Sequence, residues 1–351
     1  VRLEAFTQWA LSCLVLKDGC ERQEETGMKK ALPFLLMGFS MLFVTPLQAK
    51  PLDGITGLFK GDLELPNGRI LKIEAKVVER PNQELTGSLQ VDSAGCSLKG
   101  DKEGPGGVMI GSIRYDDRDY LVMSSVMDGA MHVLLQRRDN SEEDPFYAKL
   151  EREWEDSPLA GKPAPEGAVV LFDGSGHDEW EMLPGTVSGG LRVGGNTLRS
   201  KQEFGDALIH VEFRTPFMPY NEGQARGNSG VYVHGRYEIQ VLDSFGDPPA
   251  DNLCGGIYQI AKPKVQACLP PELWQTYDIT FRAPRFDASG NKTEDATVTV
   301  LLNGVLIHDQ LKLPHATPGG ISSSEAEKGP LLLQNHDCDV RYRNIWIKPL
   351  N

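Results

Sequence analysis

Polar and apolar residues alternate with a period of two along much of the chain after Lys50, and that period predicts β-strands. Arg69-Ile70-Leu71-Lys72-Ile73-Glu74-Ala75 and Met131-His132-Val133-Leu134-Leu135 carry it in the first part. Pro81-Asn82, Asp92-Ser93-Ala94-Gly95 and Gly104-Pro105-Gly106-Gly107 interrupt the runs with turn-forming residues. Farther on, Leu208-Ile209-His210-Val211-Glu212-Phe213-Arg214 alternates cleanly. Thr297 to Leu302, then Asn303-Gly304, then Val305 to His308 reads as a hairpin, because Asn-Gly supplies the positive φ angles of a tight type I′ turn. A last strand is expected over Val340 to Ile347. No helix-length apolar period appears. The expectation is an all-β chain: a small β-domain, barrel or sandwich, over 50–155, and a two-sheet sandwich over 168–351. Between them Asp156 to Gly167, rich in Pro, Ala and Gly, reads as a linker.

Length and composition agree with this division. The 351 residues exceed one average domain, and 37 Gly with 23 Pro suit many short strands joined by turns. A net charge of −13 argues against a nucleic-acid partner, which requires a concentrated basic surface.

The first 49 residues have a different character. Met28-Lys29-Lys30, an apolar run from Ala31 to Leu47, and Gln48-Ala49 have the basic start, greasy centre and small-residue end of a secretory signal peptide. Residues 1–27 then read as an over-extended start. The expected location is outside the cytoplasm, periplasmic or extracellular, with no membrane anchor once the signal is cleaved. Cys96, Cys254, Cys268 and Cys338 remain after Ala49. An exported chain permits disulfides, and a local Cys254–Cys268 bridge is expected across a short Pro- and Gly-containing segment; Cys96 and Cys338 have no such support.

Two stretches can carry chemistry. In the first, Arg226 to Ser244, two short strands are expected around a turn at Gly235. Tyr237, Ile239 and Val241 then face one way and Glu238 and Gln240 the other, about 7 Å apart. Asp243 joins that second face if one extra residue bulges the strand. The second stretch, Leu331-Leu332-Leu333-Gln334-Asn335-His336-Asp337-Cys338, is an apolar strand ending in polar groups beside a loop, a common setting for binding clefts. His336 there is a candidate base, a metal ligand or simply a surface residue. His210 and His308, inside alternating strands, read as structural, and His177, in a turn, as solvated. Gly-x-Ser-x-Gly in a strand-turn-helix setting, His-Glu-x-x-His and paired Cys-x-x-Cys are all absent, so serine-hydrolase, zinc-protease and structural-zinc readings fail.

The same stretches resemble the 3-keto-disaccharide hydrolase family, over about 168–350. The resemblance rests on Leu171-Phe172-Asp173-Gly174 with Trp180, on Gly227 to Tyr232 and on Gly235 to Gly246. Cys254-Gly255-Gly256-Ile257-Tyr258, Trp274 to Asp278, Asn303-Gly304, Gln334-Asn335-His336 and Tyr342 to Ile347 complete it. Asn335 and Asp337 stand where glycine is expected on either side of the histidine. The resemblance implies a concanavalin-like jelly roll acting on glycosides that carry a ketone at C3. The ketone acidifies the C2 hydrogen, a base removes it, the C1 substituent leaves and water adds. Such chemistry needs a base together with an acid or divalent metal for the enediolate charge.

By that resemblance Glu238 is the base or a metal ligand, and His336 an acid/base or ligand. Asp243 joins them, while Arg226, Asn228, Gln240 and Gln334 position the sugar. Tyr258 or Trp274 would stack on it. Two other readings stay open. Glu238-Ile239-Gln240-Val241-Leu242-Asp243 has the spacing of the bulged acidic strand of laminarinase-type glycosidases, whose retaining members need two carboxyl groups about 5–5.5 Å apart. A non-catalytic glycan-binding module is the third, since jelly rolls serve both purposes. Sugar identity, metal, oligomeric state and the task of residues 50–155 are not set by the sequence.

Overall fold

The computed structural model describes residues 55–139, 145–181, 185–187, 190–192 and 197–350; the upstream extension and signal peptide expected over 1–49 lie outside them. Among the described residues there are strands and two short 3-10 turns but no α-helix, and no helix is long and apolar enough to cross a membrane.

The first part is a closed barrel of eight antiparallel strands: β1 (Gly57–Glu64), β2 (Ile70–Glu79), β3 (Glu84–Val91), β4 (Ala94–Glu103), β5 (Gly106–Tyr115), β6 (Arg118–Met127), β7 (Ala130–Arg137) and β8 (Phe146–Glu153). Each strand pairs with the next, and β8 returns to β1 with Glu153 opposite Leu58. The alternation read from the sequence becomes an inside and an outside: Leu71, Ile73, Ala75 and Val77 of β2 are buried in the interior with Phe59, Val122 and Leu150. Asp116-Asp117 and Asp128-Gly129 turn the chain between β5, β6 and β7 with positive φ at both positions, as tight hairpins demand. Closure leaves no unpaired edge.

The second part is a β-sandwich. Its strands are β9 (Val169–Phe172), β10 (Gly185–Val187), β11 (Gly190–Arg192), β12 (Leu198–Phe204), β13 (Ala207–Arg214), β14 (Ser229–Val233), β15 (Tyr237–Val241), β16 (Gln275–Arg282), β17 (Arg285–Phe286), β18 (Lys292–Glu294), β19 (Ala296–Leu302), β20 (Val305–Leu313), β21 (Gly329–Leu333) and β22 (Arg341–Pro349). The larger sheet runs β10-β11-β22-β13-β16-β19-β20, with β9 added beside β22; the smaller runs β12-β21-β14-β15. Ile209, Val211 and Phe213 from the larger sheet and Val231, Ile239 and Leu333 from the smaller meet in one core. Asn303 and Gly304 turn β19 into β20 with φ of 54° and 80°, as their sequence required.

Segment 156–167 is fastened along the larger sheet. The Trp274 amide donates to Asp156 Oδ1 (2.9 Å), and the Ser157 amide donates to the Trp274 carbonyl (2.8 Å). The Gly161 amide donates to Glu212 Oε1 (2.5 Å), Lys162 Nζ reaches Asp278 Oδ1 (2.5 Å), and the Lys162 carbonyl accepts from Asn344 Nδ2 (2.9 Å). Beneath this strap His210 lies buried between Asp278 (3.1 Å) and Glu212 (3.5 Å) and stacks on Trp346. Burial alone would raise the Glu212 carboxyl, but hydrogen bonds from His210, Asn344, Arg343 and the Gly161 amide hold it down to about 2. His210 thus has the structural place expected of it. His308 is likewise buried, its Nε2 2.7 Å from the Gly255 carbonyl. His177 is half-buried against the Phe172 ring rather than solvated.

The expected Cys254–Cys268 disulfide is corrected: Cys96, Cys254, Cys268 and Cys338 are all free thiols. Cys254 and Cys268 do lie side by side in hydrogen-bond contact, with the Cys254 sulfur 3.4 Å from the Tyr277 hydroxyl. Their nearness was therefore readable, but not their bonding.

Candidate active site

The hairpin of β14 and β15 turns at His234-Gly235, both at positive φ (54° and 61°). That turn sets the register: Tyr232 opposes Glu238, Val231 opposes Ile239, and Gly230 opposes Gln240. With a side-chain period of two, Val231, Val233, Tyr237, Ile239 and Val241 enter the core, and Gly230, Tyr232, Glu238 and Gln240 take the other face. Over that second face lies a hollow of about 230 Å³.

Its walls are loops bonded to the strands. The outer edge of β15 is occupied by the backbone of 254–258: the Gln240 amide donates to the Gly256 carbonyl (2.9 Å), and the Tyr258 amide donates to the Glu238 carbonyl (3.3 Å). This pairing covers an edge strand and brings Tyr258 into the wall. Thr317 Oγ1 accepts from the Glu238 amide (2.9 Å), while its own amide donates to the Arg236 carbonyl (2.8 Å), setting Pro318-Gly319 opposite. Gln334 follows β21 and donates its amide to the Gly230 carbonyl (2.9 Å). His336 is exposed at the rim. Asp337 takes φ of 56°, the left-handed conformation that a glycine would supply and that Asp tolerates; its amide donates to Asn335 Oδ1 (3.1 Å). The residues that depart from the expected Gly-His-Gly pattern thus support a tight turn with their own side chains.

Electrostatically the hollow centres on Glu238. Its side chain is buried, and among the described residues no cation pairs with it. Burial pushes its carboxyl up to about 7, against the smaller opposing pull of the neighbouring Tyr232 hydroxyl. That hydroxyl donates to the Pro318 carbonyl (3.1 Å) and accepts from Gln334 Nε2 (3.2 Å). Burial and the neighbouring Glu238 raise this phenol well above its ordinary value. An amide chain holds the other end: Gln240 Nε2 donates to Gln224 Oε1 (2.9 Å), and Asn228 Nδ2 donates to the Gln224 carbonyl (2.8 Å).

Of the residues expected to form the site, Glu238, His336, Asn228, Gln240, Tyr258 and Gln334 line one hollow. Arg226, Asp243 and Trp274 do not. Strand β15 ends at Val241, and Asp243 is taken up by a two-pronged pair with Arg226 (Nε 2.8 Å, Nη2 3.0 Å), both side chains buried. No bulge swings its carboxylate beside Glu238. Trp274 lies buried under Arg343 and Arg214, whose guanidinium carbons stand 4.1 and 5.2 Å from its ring centre. Tyr232, Gln224 and Pro318-Gly319 were missed. Register alone could have found Tyr232, since a turn centred near Gly235 pairs it with Glu238.

Glu238 is the only carboxylic acid among the described residues that line the hollow, and the two-carboxylate arrangement of a retaining glycosidase is not assembled there. Among the described residues no group of three or more His, Cys, Asp or Glu could hold a metal ion; Glu238 and His336, with neighbouring amide oxygens, are the donors the hollow offers.

No curated protein matches the chain with significance. Two solved structures from Parabacteroides distasonis ATCC 8503, each described as a "putative glycosyl hydrolase", are similar to it. The first is 34% identical, covers 53% of this chain and 85% of its own, and superposes with a TM-score of 0.49. The second is 18% identical, covers 56% of this chain and 100% of its own, with a TM-score of 0.40. The family model of the 3-keto-alpha-glucoside-1,2-lyase-like domain matches residues 167–348, the sandwich with its hollow, and the chain belongs to that carbohydrate-active family.

Proposed function

We propose that the sandwich cleaves glycosides already oxidised to a ketone at C3, with Glu238 as the base. The supporting observation is the single buried carboxyl of Glu238, without a cationic partner among the described residues, in a hollow otherwise lined by amides, tyrosines, Pro318-Gly319 and one imidazole. A carboxyl held near pH 7 by burial suits proton abstraction from carbon better than an ordinary surface carboxylate. Glu238 takes the C2 proton, and the C–H electron pair forms a C2=C3 enolate with charge on O3. That charge returns to form C1=C2 as the C1–O bond breaks. The departing oxygen gains a proton from His336, whose exposure at the rim of the hollow supports this role. Water then adds at C1. Gln240, Asn228, Gln334 and Tyr258 hold the ring. Export outside the cytoplasm, proposed from the leader-like pattern of 28–49, is checked by whether the mature protein begins near Lys50.

The test is incubation of the purified protein with a plain disaccharide and with its 3-keto derivative. Turnover of the keto form alone supports the reading. Equal turnover of both favours direct glycosidic hydrolysis, and binding without turnover a glycan-binding module. Glu238→Gln should lower turnover of the keto form by a factor of about 10²–10⁴ while leaving the protein folded.

A further inference from the structure

We propose that Tyr232 is a second catalytic residue, the donor that holds the negative charge on O3 while Glu238 removes the C2 proton. This inference rests on the elimination reading and adds its electrophile.

Two hydrogen bonds hold the phenol oxygen: Gln334 Nε2 donates to it (3.2 Å), and it donates to the Pro318 carbonyl (3.1 Å). Glu238 stands directly across the hairpin from it, and both side chains line the hollow. The phenol has one proton, and in the resting site it is donated to the Pro318 carbonyl, a neutral acceptor. A charge forming on O3 is a stronger acceptor than that carbonyl, so the O–H turns to it as Glu238 takes the C2 proton, by rotation about the phenol C–O bond and with no rearrangement of the chain. Gln334, donating into the phenol oxygen, polarises its O–H further.

The backbone makes room for this pair. A methyl group on Gly230 would lie 2.3 Å from Glu238 Oε1 and 2.9 Å from Tyr232 Cε2, and one on Gly319, at φ of 81°, would lie 2.6 Å from the Tyr232 hydroxyl. The cross-strand register, with Tyr232 directly opposite Glu238, fixes the two relative to each other.

Proton NMR in D2O on methyl 3-keto-glucoside separates the steps, because C2–H exchange reports abstraction whether or not C1–O cleavage follows. For Tyr232→Phe the expected result is loss of exchange and elimination together by a factor of about 10²–10³, with KM within a few-fold. Exchange at the wild-type rate, or a raised KM with kcat unchanged, overturns the proposal. Should Tyr232→Phe fail to fold, 3-fluorotyrosine at 232 keeps the shape and makes the phenol a stronger donor. A faster exchange is expected from it, and an unchanged rate overturns the role. If the wild-type protein neither exchanges nor eliminates, the elimination reading itself fails; exchange by the wild type that is indifferent to Tyr232 removes only this inference.

Discussion

The carboxyl group of Glu238 lies over Gly230 on the facing strand, so close that a methyl group there would stand 2.3 Å from Oε1. Only hydrogen at that position lets the carboxyl occupy the hollow beside Tyr232. Gly230→Ala should therefore push Glu238 away and lower turnover of a 3-keto-glucoside about 100-fold or more, at a stability cost of about 1–3 kcal/mol from overpacking. Steady-state kinetics beside a denaturant titration check it. An Ala variant with wild-type kcat would mean that Glu238 need not stay where it is.

As the proposed base, Glu238 must be ionised to act, and burial raises its carboxyl to about 7. The other ionisable side chains that line the hollow around it are Tyr232, Tyr258 and His336. The expected profile of kcat/KM climbs about tenfold per pH unit on the acid side and levels above about pH 7. A profile already flat by pH 5 would exclude Glu238 as the base.

The same burial costs stability. Below pH 4.5 Glu238 is protonated whether the chain is folded or not, and nothing is lost. Between 4.5 and about 7 the unfolded chain releases the proton while the folded chain keeps it, so stability falls as pH rises. The full loss, above about pH 7, is of order 3 kcal/mol. Glu238→Gln should then melt higher than wild type at pH 8 and at about the same temperature at pH 4. Calorimetry at the two pH values decides, and a deficit in the variant at pH 8 contradicts the sign.

Asp243 and Arg226 satisfy each other away from the hollow. Removing one leaves a buried charge without its partner. Asp243→Leu or Arg226→Met alone should cost about 3–5 kcal/mol, and the double variant should recover most of it. Urea titrations of the four proteins measure this. Additive losses in the double variant would show that the pair is not a closed unit.

Much of this was readable before any coordinates. The period of two separated Glu238 and Gln240 from Tyr237, Ile239 and Val241, and the abrupt end of an apolar strand singled out Gln334 and His336. Asn303-Gly304 announced its turn through the φ angles it needs. What failed did so for physical reasons. Asp243 carries the right chemistry at a tempting spacing, but spacing does not reveal that a guanidinium 17 positions earlier in the chain is waiting for it. Trp274 suits a sugar platform by residue type, yet two arginines cover its ring. The thiols of Cys254 and Cys268 met without bonding. Tyr232 escaped because an aromatic residue in an apolar strand looks like core until the register across the hairpin is counted.

The strap of 156–167 bears on where the sandwich can be cut free. Composition suggests a cut at 168, yet that excision would strip the Gly161 amide from Glu212, the Lys162 amine from Asp278 and the Lys162 carbonyl from Asn344. The exposed seam would leave Glu212 and Asp278 around His210 each short of a donor, packed for a covering that had been removed. An independently folding fragment has to begin before Asp156, so the twelve residues that look like a tether belong to the sandwich as its outer skin.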